Sequence, residues 1–244
     1  MHNARYLRLP SQALDRRVHL WTYGWGGAPV LVFPSAAGMA HEWQHSGAVS
    51  ALGPLIDAGR IQLFCPESNV SEAWTGSGHP SWRLDRHHAY EGFITDELIP
   101  WIWEQQGERR RVATTGCSFG SFYAANLALK RPDLVDWALC MSGRYRTEAF
   151  LDGFYDDRVY FSDPLHYLPN LTGEALRAVQ QTHLTLVVGQ GRFEGRCIQE
   201  TRDLAFALID KQIPCTPDFW GADVTHHWDW WRRQLVHHMG RRYG

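Results

Sequence analysis

The pentapeptide Gly116-Cys117-Ser118-Phe119-Gly120 fits the pattern G-x-S-x-G, in which small flanking residues permit a turn so tight that the serine is held out at its tip. Ser118 is therefore the candidate nucleophile. A serine hydroxyl at neutral pH needs a base to take its proton, and the base needs an acidic partner to fix its tautomer and stabilise its cation. On a strand-turn-helix elbow these partners follow in the order acid, then histidine, each at the end of a later strand. The late histidines are His226, His227, His237 and His238. The first two lie in the loop after the last predicted strand. The other two close a helix, where a cation interacts favourably with the C-terminal dipole. For the acid, Gly189-Gln190-Gly191-Arg192-Phe193-Glu194 offers Glu194 in a glycine-bearing loop. Asp223 is too close to His226 to come from a separate strand end, and Glu200 and Asp203 fall within a predicted helix. Acyl transfer also needs donors for an oxyanion. The N–H of Phe119 follows the nucleophile, and the small-residue loop Ser35-Ala36-Ala37 offers a second donor, expected at Ala36.

These residues work only if strands and helices alternate. Arg111 to Thr115 suits a buried strand entering the turn, and Ser121 to Lys130 a helix stopped by Pro132. Arg17 to Tyr23 alternates like an exposed early strand, while Pro29 to Pro34, Ile61 to Cys65, Trp137 to Met141 and His183 to Val188 are short apolar strands. Cys215 to Trp220 reads as the last strand. Tyr90 to Glu104, Arg196 to Lys211 and Trp228 to Met239 carry helical spacing. The order implies an α/β fold, a mostly parallel sheet flanked by helices on both faces, in a single domain over residues 1–244. The stretch from Arg144 to Gly173 reads as an irregular, cap-like insertion that could shape a substrate site.

A length of 244 residues is enough for one large α/β core, and a formal net charge of −2 gives no field favouring nucleic acid or an anionic membrane. A small-molecule substrate is the simpler expectation. Five scattered cysteines without C-x-x-C spacing read as free thiols. The first residues lack the apolar core of a signal peptide, so a cytoplasmic location is expected, with a homo-oligomer left open.

Three other patterns compete for attention. His41-Glu42-Trp43-Gln44-His45 matches H-E-x-x-H, in which two histidines one helical turn apart bind zinc and the glutamate acts as base. It sits just after a strand and glycine loop rather than in a long helix, and Ala48 stands where the extended metzincin pattern needs glycine. Cys117 neighbours the nucleophile, but elbow geometry turns that side chain into the sheet. Among twelve tryptophans, Trp228 and Trp231 share helical spacing with Leu235 and Met239 and read as core. Trp43, Trp74 and Trp82 lie in predicted loops; Trp43 and Trp74, with Tyr155 of the insertion, are the expected substrate contacts.

The elbow, the glycine-rich loop ending in Glu194-Gly195 and the run Thr225-His226-His227-Trp228-Asp229-Trp230-Trp231 together resemble the putative-esterase (esterase D-like) family of α/β-hydrolases. The ending resembles that family's His-x-Trp-x-x-Trp pattern. The resemblance implies that His226, rather than His227, is the base, and that the reaction is hydrolysis of a carboxylic ester through an acyl-enzyme on Ser118, with no metal or organic cofactor. Acyl transfer by the same residues is the alternative, followed by a zinc hydrolase through His41, Glu42 and His45 and by a non-catalytic binding module.

Overall fold

A computed structural model describes residues 2–244. Eight strands form one sheet in the order β1-β2-β4-β3-β5-β6-β7-β8. They are β1 (Arg5–Ser11), β2 (Arg16–Tyr23), β3 (Ala28–Phe33), β4 (Ile61–Pro66), β5 (Val112–Cys117), β6 (Val135–Met141), β7 (His183–Val188) and β8 (Cys215–Phe219). The pairs β1–β2 and β2–β4 are antiparallel and every other pair is parallel, the mostly parallel sheet that the alternating elements imply.

The central strands are apolar on both faces because both faces are covered. Leu31 and Phe33 pack into the core under the helices Pro80–Gly92 and Phe119–Lys130, whereas Val30 and Val32 pack into the core that holds Trp43, Trp231 and Leu235. The period-two alternation of β3 thus divides between two layers. Residues 119 to 129 of the elbow helix are buried without exception, since the chain from Asp157 onward lies across its outer side. There Asn126 donates to the Ser162 carbonyl, and Tyr167 donates to Asn126 Oδ1 at 2.9 Å.

Three local readings of the sequence need correction. A strand over Arg5–Ser11, not anticipated, pairs with β2 from Arg16 to Thr22. The helix expected from Tyr90 to Glu104 is instead three stretches: an α-helix over Pro80–Gly92, a π-helical segment over Phe93–Leu98, and an α-helix over Ile99–Gln106. Pro100 has no N–H to offer the carbonyl four residues back, and the ladder widens just before it. The insertion from Arg144 to Gly173 is not irregular. It folds into short helical segments, two of them begun by Asp156 and Asp163, whose side chains accept from the first helical N–H groups. Only its beginning approaches the elbow, where the Phe150 ring stands 5.0 Å from that of Phe119.

Both sheet edges carry a proline, Pro10 in β1 and Pro217 in β8. Neither has an N–H to present outward.

Candidate active site

Ser118 adopts φ 55°, ψ −119° between β5 and the Phe119–Lys130 helix. Such backbone costs a non-glycine residue on the order of 1–3 kcal/mol and persists only where the surroundings enforce it. Here the enforcement is visible. A Cβ on Gly116 would lie 2.4 Å from the Gly120 backbone, and one on Gly120 would lie 2.3 Å from the Phe33 carbonyl oxygen. The two glycines therefore let the helix cross its own strand and let the end of β3 press against the elbow. The Ser118 N–H donates to the Met141 carbonyl at 2.9 Å, and the Ser121 hydroxyl reaches the Gly116 and Met141 carbonyls. Ser118 itself is half-buried, whereas Cys117 is fully buried. Burial pushes the Cys117 thiol well above its usual range, so it is held as a neutral thiol inside the sheet.

The loops after β7 and β8 meet for a similar reason. A Cβ on Gly189 would lie 2.3 Å from the Val224 carbonyl oxygen, and one on Gly191 would lie 2.6 Å from the same atom. Only glycines let the two loops touch. Gly191 N–H donates to Val224 at 2.8 Å and His226 N–H to the Arg192 carbonyl at 3.3 Å. This contact sets His226 Nδ1 at 3.2 Å from Glu194 Oε2. Glu194 has no exposed surface, and its second oxygen accepts from the Ser142 hydroxyl at 2.6 Å. Ser142 Oγ in turn accepts from Trp231 Nε1 at 3.0 Å, and the Trp231 ring meets the His226 ring edge-on at 4.8 Å. A buried carboxylate is tolerable only when its lone pairs are engaged, and Ser142 with His226 engages both oxygens. With Nδ1 committed, Nε2 is the free nitrogen of the His226 ring. The Cys197 sulfur lies 3.9 Å from Nδ1, and burial pushes its thiol up to about 12, with Glu194 adding to the effect.

The other acids serve elsewhere. Glu200 accepts from Arg144 Nε at 2.8 Å and from the N–H groups of Tyr145 and Arg146, while Asp203 pairs with Arg146 at 3.1 Å. His238 lies 3.1 Å from Asp218. Neither Ser142 nor Trp231 was singled out as a site residue by the sequence reading. The signal for Ser142 is positional, a Ser-Gly pair just beyond the carboxyl end of β6, beside the ends that carry Ser118 and Glu194.

On the other flank of Ser118, the loop after β3 holds Ala36 at φ 38°. Ser68 Oγ donates to the Ala36 carbonyl at 2.6 Å, Gly38 N–H to the Ser35 carbonyl at 2.9 Å, and Ser68 N–H to the Gly38 carbonyl at 3.0 Å. The N–H groups of Ala36 and Phe119 have no partner among the described residues, so both are available to a ligand.

Three expectations take a different shape. Trp43 and Trp74 are each 1% exposed and belong to the two cores, Trp43 edge-on to Trp228 and Trp74 donating to the Tyr123 hydroxyl at 3.0 Å. Flanking apolar residues draw these rings inward, so neither lines a cleft. Tyr155 is exposed, 3.5 Å from His166 Nδ1. The H-E-x-x-H stretch forms a single turn, Glu42–His45. The His41 and His45 rings stand 4.5 Å apart, yet no third metal-ligating group joins them among the described residues, and the Glu42 carboxylate is turned to Ser35.

This architecture has clear relatives among solved structures. A ferulic acid esterase superposes with a TM-score of 0.78 at 17% identity, covering 99% of this chain and 97% of that one. S-formylglutathione hydrolases superpose at 0.74 for the Staphylococcus aureus protein (13% identity, 100% and 98% covered) and 0.73 for the Agrobacterium tumefaciens protein (15%, 99% and 95%). These similarities establish a shared fold. No curated protein sequence matches the chain. Residues 44–241, however, match the family described as putative esterase, an extent that includes Ser118, Glu194 and His226. The chain therefore belongs to the putative-esterase family and is a carboxylic ester hydrolase.

Proposed function

We propose that hydrolysis proceeds through an acyl-enzyme on Ser118, with His226 as general base and acid and Glu194 as the orienting carboxylate. The observation that carries this reading is the bond from His226 Nδ1 to a fully buried Glu194, which leaves Nε2 as the nitrogen to receive the Ser118 proton. Ser118 Oγ attacks the ester carbonyl as its proton passes to Nε2. The N–H groups of Phe119 and Ala36 stabilise the oxyanion, and the alcohol departs with the proton from Nε2. Water, deprotonated by the same nitrogen, then releases the acid. Glu194 stays ionised throughout and balances the imidazolium.

The substrate is a small carboxylic ester. The names of the structural neighbours point the same way, since they act on esters of ferulic acid and on S-formylglutathione. The chain works as one α/β-hydrolase domain over residues 1–244, and among the described residues no helix is long and apolar enough to cross a membrane. Turnover of a short-chain aryl ester by Ser118→Ala tests the assignment. Loss of about 10⁴-fold or more in kcat is expected, together with loss of labelling by a fluorophosphonate probe. Turnover near wild type would remove Ser118 from the mechanism.

A further inference from the structure

The H-E-x-x-H stretch, unused as a metal motif, has a different task. Both oxygens of Glu42 are occupied by one residue: Oε2 accepts from the Ser35 N–H at 2.8 Å and Oε1 from the Ser35 hydroxyl at 2.6 Å. Two donors on two oxygens is the pattern of an ionised carboxylate. The loop wraps this group so closely that a Cβ on Gly38 would lie 2.5 Å from Glu42 Oε1. The carboxylate also sits near the carboxyl ends of two strands, since its charge adds to burial in raising the thiols of Cys65 on β4 and Cys117 on β5. Its geometric contacts are with the loop that carries Ala36, from Ser35 to Gly38.

We propose, resting on the Ser118 mechanism above, that Glu42 is the positioning residue of the oxyanion loop, holding the Ser35 peptide so that the next N–H, that of Ala36, is presented to the developing oxyanion. Every other anchor agrees with this role. The Ala36 carbonyl is held by Ser68 and the Ser35 carbonyl by Gly38, while the Ala36 N–H has no partner among the described residues. Ala36 itself sits at φ 38°, a conformation alanine does not keep unless its neighbours impose it. Burying a carboxylate is costly, and Glu42 meets that cost for a single peptide at the mouth of the site. Glu42 acts through Ser35 and touches no reacting atom.

The test is Glu42→Gln, which keeps the side-chain shape but replaces one acceptor oxygen with a nitrogen that cannot accept from Ser35. On a short-chain aryl ester, kcat is expected to fall about 10- to 100-fold, approaching the cost of losing an oxyanion donor, with KM within about threefold. Affinity for an aryl trifluoromethyl ketone, which forms a tetrahedral adduct on Ser118, should fall in parallel. Affinity for the corresponding unfluorinated methyl ketone should not change. A merely structural role would move KM and both ketones together. If Glu42→Gln fails to fold, Ser35→Ala removes the hydroxyl bond alone and should lower kcat and adduct affinity severalfold with KM unchanged. Wild-type kcat and adduct affinity in the folded variant overturn the proposal. Ser118→Ala, assayed in parallel, separates the two failures. If it is inactive while Glu42→Gln is fully active, only the positioning role falls; if it remains active, the triad reading falls and takes the positioning role with it.

Discussion

Two carboxylates anchor the loops on either side of Ser118, Glu194 fully buried and Glu42 partly buried, and they are used in opposite ways. Glu194 accepts from a hydroxyl, Ser142, and from Nδ1 of an imidazole whose other nitrogen, in the proposed mechanism, gains and loses a proton during turnover. Glu42 accepts twice from Ser35, whose two donors never titrate. On the Glu194 side the hydrogen-bond chain runs unbroken from Trp231 through Ser142 and Glu194 to His226. On the Glu42 side the bonds fix the Ser35 peptide and the Ala36 carbonyl and leave the Ala36 N–H without a partner among the described residues. One flank is thus built to stabilise a positive charge that forms on the protein, the other to hold open a place for a negative charge that forms on the substrate. Electrostatic catalysis depends on both being in place before the reaction begins.

The contrast is open to direct challenge. Glu194→Gln keeps the shape of the acid but removes the charge opposite the imidazolium and admits the wrong tautomer. It should cost about 10⁴-fold in kcat, far more than the isosteric change at Glu42. Equal losses at the two carboxylates in aryl ester kinetics would erase the distinction. Ser142→Ala should come next, at on the order of tenfold in kcat and about 1.5–3 kcal/mol in stability by urea melts, because it strips a hydrogen bond from a buried charge. Ser68→Ala releases only the Ala36 carbonyl and should lower kcat a few-fold with KM unchanged, as steady-state kinetics will report.

The smallest effect concerns pH. Burial raises the Glu42 carboxyl above its ordinary value, an effect that the bonds from Ser35 only partly offset. A carboxyl raised in the folded state is protonated more readily there than in the unfolded chain. Its contribution is therefore most favourable below the unfolded value and declines as pH rises through the folded one. The stability of the wild type relative to Glu42→Gln should fall over that interval in urea melts taken at a series of pH values. A difference that stays flat or rises would show that Glu42 is as comfortable ionised in its loop as in water.

Much of this was readable from the chain, for reasons that differ between residues. The elbow has a local signature because its geometry excludes all but small residues at Gly116 and Gly120, and the closures predicted there are the ones observed. The strands β3 to β7 were legible as apolar runs that need cover on both faces. The pairing of Glu194 with His226 was inferred from the order of strand ends, the glycine-bearing loop and the family resemblance, since no local pattern encodes a contact between loops made possible by Gly189 and Gly191. Trp43 and Trp74 were misplaced because an aromatic ring in a loop sequence gives no sign of which way it turns. β1 escaped notice since its charged and apolar residues alternate weakly and end in Pro10. Glu42 was visible only as part of a metal pattern; its actual partner is seven residues earlier, in a loop whose conformation the sequence does not dictate.

The prolines at the two margins of the sheet bear on how copies of this chain can meet. A strand that lacks an N–H, near its end in β1 and at its middle in β8, is a poorer template for another strand, and Arg5 and Arg8 on β1 and Asp218 on β8 add charge at the same margins. Growth of the sheet from one molecule into the next is therefore discouraged at both ends. Contacts through helices and loops would leave intact the framework that holds Ser118.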